Sequence, residues 1–241
     1  MMLMLGARGV RACGRLLAGG VFSLVVAGTA LAEENPRDPY EGFNRTMFSV
    51  NEAVDKAVIK PVGQGYDMAV PLPLKASVGN FFGNTADLWI GVNGALQGKF
   101  SDAGIDISRL LINSTVGIFG LFDVASELGL EKHEEDFGQT LAVWGVGDGG
   151  FVYWPIIGPR TVRDTAGWGV DYFADPVGYT RSIPVRNSMV ALRFVDIRAS
   201  LLPADKVVEE AALDKYAYVR DAYLQRRRNQ IYDGRPPRLD D

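Results

Sequence analysis

Apolar positions recur at helical spacing along most of this chain. In residues 38–60, "DPYEGFNRTMFSVNEAVDKAVIK", Phe43, Met47, Val50, Val54 and Val58 return every three or four positions, which predicts a helix. Pro61 is expected to stop it, because its ring has no N–H and crowds the preceding turn. A loop is expected over 61–73 and a second helix over 74–97. There Phe81, Phe82, Leu88, Trp89, Ile90 and Val92 cover more than one face. A helix apolar most of the way round is either deep core or in contact with lipid. Ser101 suits an N-cap for a helix over 102–117, with Asp102 favourable in its first turn. Thr161 and Asp164 form a T-x-x-D capping pattern ahead of another helix. Pro203 precedes a long charged helix expected from Asp205 to Ile231. With no internal repeat and no linker, the pattern is that of a mainly α single domain.

Glycines interrupt this pattern at two places. "GVGDGG", 145–150, sets Gly145, Gly147 and Gly150 at the spacing of G-x-G-x-x-G, and Asp171 follows about twenty residues later. A dinucleotide loop needs a strand before it and a helix opening at the third glycine. "TLAVW" upstream suits a strand, but "FVYWPIIGPRT" downstream carries Pro155 and Pro159 where a helix would begin. Asp171 falls in a helical stretch. Nucleotide binding is therefore rejected, and Gly145, Gly147, Gly149 and Gly150 are read as tight-turn glycines that permit positive φ and close backbone approach. The second place is "VGIFGLFD", 116–123. Gly117 and Gly120 each precede a bulky apolar pair, Ile118–Phe119 and Leu121–Phe122, which suggests a mobile hairpin that inserts among acyl chains or gates a path.

The N-terminus changes the compartment. Arg8, Arg11 and Arg15 precede the uncharged "LLAGGVFSLVVAGTALA", and "ALA" at 30–32 has the small-x-small form of a cleavage site. Residues 1–32 read as a signal peptide and 33–241 as the exported domain; retention of the segment as an anchor is the other reading. No stretch after it offers 18 consecutive apolar residues. The formal charge is −4, and the single cysteine, Cys13, belongs to the signal. A cysteine-free exported domain relies on packing rather than disulfides, and its acidic balance argues against nucleic acid. Against that balance, the terminal helix carries Arg220, Arg226, Arg227 and Arg228. They suit either a solvated helix end or a contact with anionic headgroups or an acidic partner.

Catalytic patterns are not evident. His133 stands among Glu131, Glu134, Glu135 and Asp136, but the spacing matches none of the common metal-ligand sets. Asp102 and Asp106 read as a charged first turn rather than an acid pair. There is no G-x-S-x-G elbow and no thiol nucleophile in the exported part. The sequence points to a non-enzyme without cofactor or metal.

Four ordered blocks carry a family likeness: "DPYEGFNR" at 38–45, "SRLLINSTVGIFGLFDVA" at 108–125, "EEDFGQTLAVWGVGDGGFVYWPIIGPRTVRD" at 134–164 and "ALDKYAYVRDAYLQRR" at 212–227. Together they resemble the MlaA (VacJ) family of outer-membrane phospholipid-transport proteins over residues 36–234. The resemblance implies a helical ring in the inner leaflet of the outer membrane around an amphipathic channel. It implies removal of phospholipids misplaced in the outer leaflet and their transfer to a periplasmic phospholipid-binding carrier. Retrograde transport to the inner membrane follows, driven there by ATP. It also implies association with trimeric porins. Two other classes stand beside it: a soluble periplasmic scaffold with an ordinary core, and a carboxylate-dependent hydrolase.

The chain departs from the family in its signal. Family members are usually lipoproteins with a cysteine just after the apolar region, whereas Cys13 precedes that region and follows "VRA". A single acyl chain gives only marginal membrane binding. Burial of Ile118, Phe119, Leu121 and Phe122 contributes up to about 1.5–3 kcal/mol each, which rivals it. The mature protein is therefore expected to begin at Glu33 without an acyl group. Intact mass of protein isolated from membranes checks this, and a diacylglyceryl-modified Cys13 at the N-terminus overturns it.

Overall fold

The computed structural model describes residues 35–238; the signal segment, its cleavage site and Cys13 lie outside the described residues. The architecture is mainly helical, with one small antiparallel hairpin. Helix α1 (Glu41–Val54) runs through a π-helical turn (Asp55–Ile59) directly into α2 (Lys60–Ala69). Pro61 therefore does not end the helix. The Lys60 N–H bonds to the Asp55 carbonyl five residues back, and this widened turn relieves the crowding that a proline ring creates in a regular helix. The chain breaks only at Val70, which is extended, before α3 (Leu72–Leu96).

Helix α4 (Phe100–Thr115) folds back along α3 through a turn in which Gly98 takes φ +81°. Lys99 occupies the cap position, so Ser101 lies inside the first turn rather than before it. At the crossing Gly94 packs against Ala103, where an added β-carbon would already touch at 3.5 Å. Short α5 (Val124–Glu127) and α6 (Phe137–Val143) follow. "TLAVW" is thus helical, because the Asp136 carboxylate caps α6 by accepting from the Gln139 N–H at 2.9 Å.

Strands β1 (Phe151–Trp154) and β2 (Gly158–Thr161) pair with Phe151 opposite Thr161 and Trp154 opposite Gly158. The free edge of β1 is closed by side chains rather than by a third strand. Asn44 of α1 donates to the Phe151 carbonyl (2.9 Å) and accepts from the Tyr153 N–H (2.8 Å). Two turns on, Asn51 does the same for the Trp154 carbonyl (2.9 Å) and the Ile156 N–H (2.8 Å). Each amide satisfies a donor and an acceptor that would otherwise be an open edge. Phe151, Tyr153 and Tyr216 form a small aromatic core against this face.

Thr161 caps α7 (Val162–Ala174) as its pattern predicts, accepting from the Asp164 N–H at 3.1 Å. A 3₁₀ turn (Pro176–Tyr179) leads to α8 (Ile183–Ser200), which the apolar spacing leaves unread. The charged terminal stretch is two helices, α9 (Leu202–Ala211) and α10 (Lys215–Ile231). Ala212 is extended, and Asp214 opens α10 by accepting from the Ala217 N–H at 3.2 Å.

Two of the four arginines of α10, Arg220 and Arg227, turn inward. Arg227 is 7% exposed; it bonds both Asp136 oxygens at 2.6 Å and reaches Asp164 at 2.9 Å. Tyr223 donates to the same Asp164 at 2.7 Å. Arg220 pairs with Asp38, leaving Arg226 as an exposed arginine bonded to Glu134 at 3.1 Å. The cluster thus joins α10 to α6 and α7 instead of forming a free basic patch. Burial pushes the Asp164 carboxyl up, but Arg227, Tyr223 and Arg163 outweigh it and hold the pKa below the usual carboxylate value. Its stabilising contribution is full above the unfolded carboxylate pKa and is lost as pH falls through the lowered folded value. Arg227→Met, which leaves buried Asp164 to Arg163 and Tyr223 and releases Asp136, should cost about 1.5–3 kcal/mol. Urea unfolding of the variant at neutral pH checks this, and the deficit should shrink on acidification.

Candidate functional site

The apolar segment after α4 is a tightly bonded knuckle. The N–H groups of Phe119, Gly120 and Phe122 donate to the carbonyls of Ser114 (3.1 Å), Asn113 (2.8 Å) and Gly117 (2.9 Å). Ile118 and Phe119 take φ +52° and +55°, followed by Gly120 at +83°. Left-handed backbone at two bulky residues is strained, and these bonds hold it. A β-carbon on Gly117 would strike the Phe122 carbonyl and stand 2.6 Å from the Asn113 carbonyl oxygen; one on Gly120 would stand 2.6 Å from the Asn84 amide. The glycines are therefore close-contact points against α3 and α4. The side chains point the other way: Phe119 is 78% exposed, and Ile118, Leu121 and Phe122 are exposed beside it.

The second glycine cluster divides by position. Gly145, φ +91°, ends α6 in a Schellman motif, with its N–H on the Ala142 carbonyl and the Val146 N–H on that of Leu141. Gly149 takes φ +67°, and Gly150 passes so close to Pro39 and Tyr40 that a β-carbon would meet them at 2.7 and 2.9 Å. Gly147 faces open space at negative φ, so no turn demands it. The segment runs into β1, not into a helix. Asp171 accepts from the Trp89 indole (2.7 Å) and the Phe137 N–H (3.0 Å) rather than waiting for a ribose.

Polar side chains fill the space between the helices. Arg109 of α4, 1% exposed, bonds both oxygens of Asp123 at 2.9 Å and also reaches the Leu130 carbonyl. Burial opposes ionisation of Asp123, yet bonds from Ser126, Asn113 and Arg109 bring its carboxyl down to about 2. Asp87 of α3 is fully buried beside Lys132 and Arg109, and there burial wins and raises its pKa. His133 sets its ring on Asp106 at 3.1 Å. Among the described residues no cluster suits a metal ion. These pairs strap the acidic loop 131–136 across the α3–α4 hairpin.

A cavity of about 460 Å³ opens between α3, α7, α8 and α10. Its wall is amphipathic, with Trp89, Trp168 and Tyr172 alongside Glu134, Asp175 and Arg193. A second cleft of about 410 Å³ lies between α1, α8, α9 and α10, lined by Phe48 and Phe194 as well as Lys60 and Glu209. Outside, many large apolar side chains are exposed. Met68, Leu72, Phe100, Ile156 and Phe173 are each more than 70% exposed. Buried polar residues outnumber buried apolar ones among the described residues. No helix among the described residues is long and apolar enough to cross a membrane.

Residues 36–230 match the family model described as MlaA lipoprotein. This chain belongs to the MlaA lipoprotein family. The MlaA relative from Escherichia coli K12, "Intermembrane phospholipid transport system lipoprotein MlaA", is 34% identical over 215 residues, covering 87% of this chain and 85% of its own. An uncharacterised Rickettsia bellii protein is 35% identical over 195 residues, covering 80% and 76%. A solved chain described under "Structural basis for maintenance of bacterial outer membrane lipid asymmetry" superposes with a TM-score of 0.71 at 32% identity, covering 82% of this chain and 99% of that one. The MlaA family is one of transport lipoproteins, not a known enzyme family.

Sequence reasoning missed the polar interior of this MlaA family member. Its signal was present in α4, where Asp106, Arg109 and Asn113 recur at three and four residues and form a buried polar stripe. For the knuckle, the geometry separates its two faces. Gly117→Val should lower stability by about 1–3 kcal/mol or more through overpacking. Phe119→Asp should stay within about 0.5 kcal/mol in detergent-free folded protein. Thermal melts followed by circular dichroism check both; a well-folded Gly117→Val variant would show that the close contact is not required.

Proposed function

We propose that this protein is the outer-membrane component of a phospholipid transport pathway that keeps the membrane asymmetric. It sits in the inner leaflet with its apolar exterior among acyl chains. It takes up phospholipids misplaced in the outer leaflet through the amphipathic cavity. A periplasmic carrier receives them for retrograde transport, and a trimeric porin supplies its lateral partner. The protein performs no hydrolysis. The observation that carries this reading is the inverted burial, with charged pairs inside and bulky apolar side chains outside. Exposed apolar surface on this scale marks a membrane or partner surface, which a soluble periplasmic scaffold does not need. The exposed knuckle 116–123 is the segment proposed to insert.

The test is the double variant Phe119→Asp, Phe122→Asp. Each charge placed in hydrocarbon costs about 2.5–3.5 kcal/mol on insertion scales, while neither side chain supports the folded interior. The variant should keep native circular dichroism, leave the membrane fraction and raise surface-exposed phospholipid in cells. A folded variant that remains membrane-bound with normal lipid asymmetry refutes insertion by this segment. Release of the unaltered protein from membranes without detergent would favour the soluble scaffold.

A further inference from the structure

The wall of the 460 Å³ cavity holds one acid without a cation of its own. Its other carboxylates are ion-paired: Glu134 with Arg226 at 3.1 Å, Glu135 with Lys99 at 2.8 Å, Asp136 with Arg227 at 2.6 Å and Asp175 with Arg193 at 2.5 Å. Asp171 of α7 lines the same cavity and forms no ion pair among the described residues. Its Oδ1 accepts from the Trp89 indole (2.7 Å) and the Phe137 N–H (3.0 Å), which leaves Oδ2 without a bond. Burial raises the Asp171 pKa; those two bonds and the more distant charge of Arg160 do not outweigh it. The protein therefore under-compensates this carboxylate. Gln139, 1% exposed in the same wall, donates to the Glu134 carbonyl at 2.7 Å but keeps an Oε1 without a partner. Two acceptors in one cavity are short of a donor.

The surroundings of Asp171 are aromatic. Trp89, Trp168 and Tyr172 line the cavity with it. Trp168 lies one turn back on α7, its ring centre 5.9 Å from that of Tyr172 and tilted by 43°. The faces of such rings attract cations, as Trp168 does for the Arg160 guanidinium 5.4 Å from its centre. A ligand that suits this wall carries positive charge and N–H donors together. A primary ammonium has one charge and three donors. A phosphate has neither and would meet Asp171 as a like charge. Arg193 and Arg226 stand in the same wall, so a headgroup that joins an ammonium to a phosphate finds both signs of charge within the cavity.

We propose that Asp171 receives the primary ammonium of an aminophospholipid headgroup, of the phosphoethanolamine kind, with Trp168 and Tyr172 packed against the cation. The proposal rests on the transport reading and deepens it by naming a headgroup class. Asp171 Oδ2 accepts from the ammonium, and the aromatic faces shield the pair from water. Phospholipids whose headgroup lacks an amine enter the cavity without this contact and are held less firmly.

Isothermal titration calorimetry of the purified protein tests this with three probes. They are dihexanoylphosphatidylethanolamine and dihexanoylphosphatidylglycerol, both below their micellar concentrations, and free phosphoethanolamine. The unaltered protein should bind the ethanolamine lipid about tenfold or more tightly than the glycerol lipid, as a bond to a charged group implies. Asp171→Asn keeps an oxygen for Trp89 and Phe137 and removes the charge, so it should retain native circular dichroism and lose that preference. Tyr172→Leu changes a largely exposed side chain and should reduce the preference by about two- to fivefold. An unchanged preference in folded Asp171→Asn overturns the proposal while sparing the transport reading. Equal binding of the two lipids by the unaltered protein does the same, and it decides the matter even where Asp171→Asn fails to fold. Absence of binding of either lipid overturns both readings. Free phosphoethanolamine binding as tightly as the lipid overturns the lipid assignment in favour of a soluble amine.

Discussion

Everything in this fold follows from charge being placed inside it. An isolated ion withdrawn from water is prohibitively costly, so each buried one must find a partner of opposite sign at hydrogen-bonding distance. Arg109 answers this with Asp123 and the Leu130 carbonyl, which pins the strap 123–136 across α3 and α4. Arg227 answers it with Asp136 and Asp164, which fixes α10 against α6 and α7 at once. Helices too short to be stable alone thereby acquire defined positions.

The same choice decides what faces outward. A helix has one circumference, and a stripe given to Asp106, Arg109 and Asn113 cannot also bury leucines. Leu111 and Phe100 of α4, like Leu88 and Leu96 of α3, are left outside. Water is a poor solvent for such a surface, and acyl chains are a good one. The knuckle 116–123 extends the principle to a turn: its glycines give their missing side chains to backbone contact, and its aromatics are presented outward.

Local signals in the sequence were legible where one residue's chemistry acts alone. The Thr161 cap, the bulky outward segment 116–123 and the mainly helical class could be read directly. Pro61 misled because the remedy, a π turn beginning at Asp55, depends on how the whole helix packs. The glycines of 116–123 were ambiguous in a related way, since freedom of rotation and absence of a side chain are both properties of glycine. The positions of Asn84 and Asn113 show that the second is used there. The polar interior was hidden because its partners lie far apart in the chain, as Asp136 and Arg227 do, and apolar periodicity carries no record of them.

Ionic pairing also explains how a cavity survives in so small a protein. Apolar walls attract one another without direction, so a gap lined only by them closes or fills. A charge pair has a length and an angle, and closing the gap would force its members out of bonding geometry. Asp136, held by Arg227, and the pair Arg193–Asp175 belong to the cavity wall and thus act as struts of fixed size. Their strength grows as the local dielectric falls. Immersion of the apolar exterior in lipid would therefore tighten the struts and keep the polar space between them open, which is the condition a lipid headgroup needs to cross.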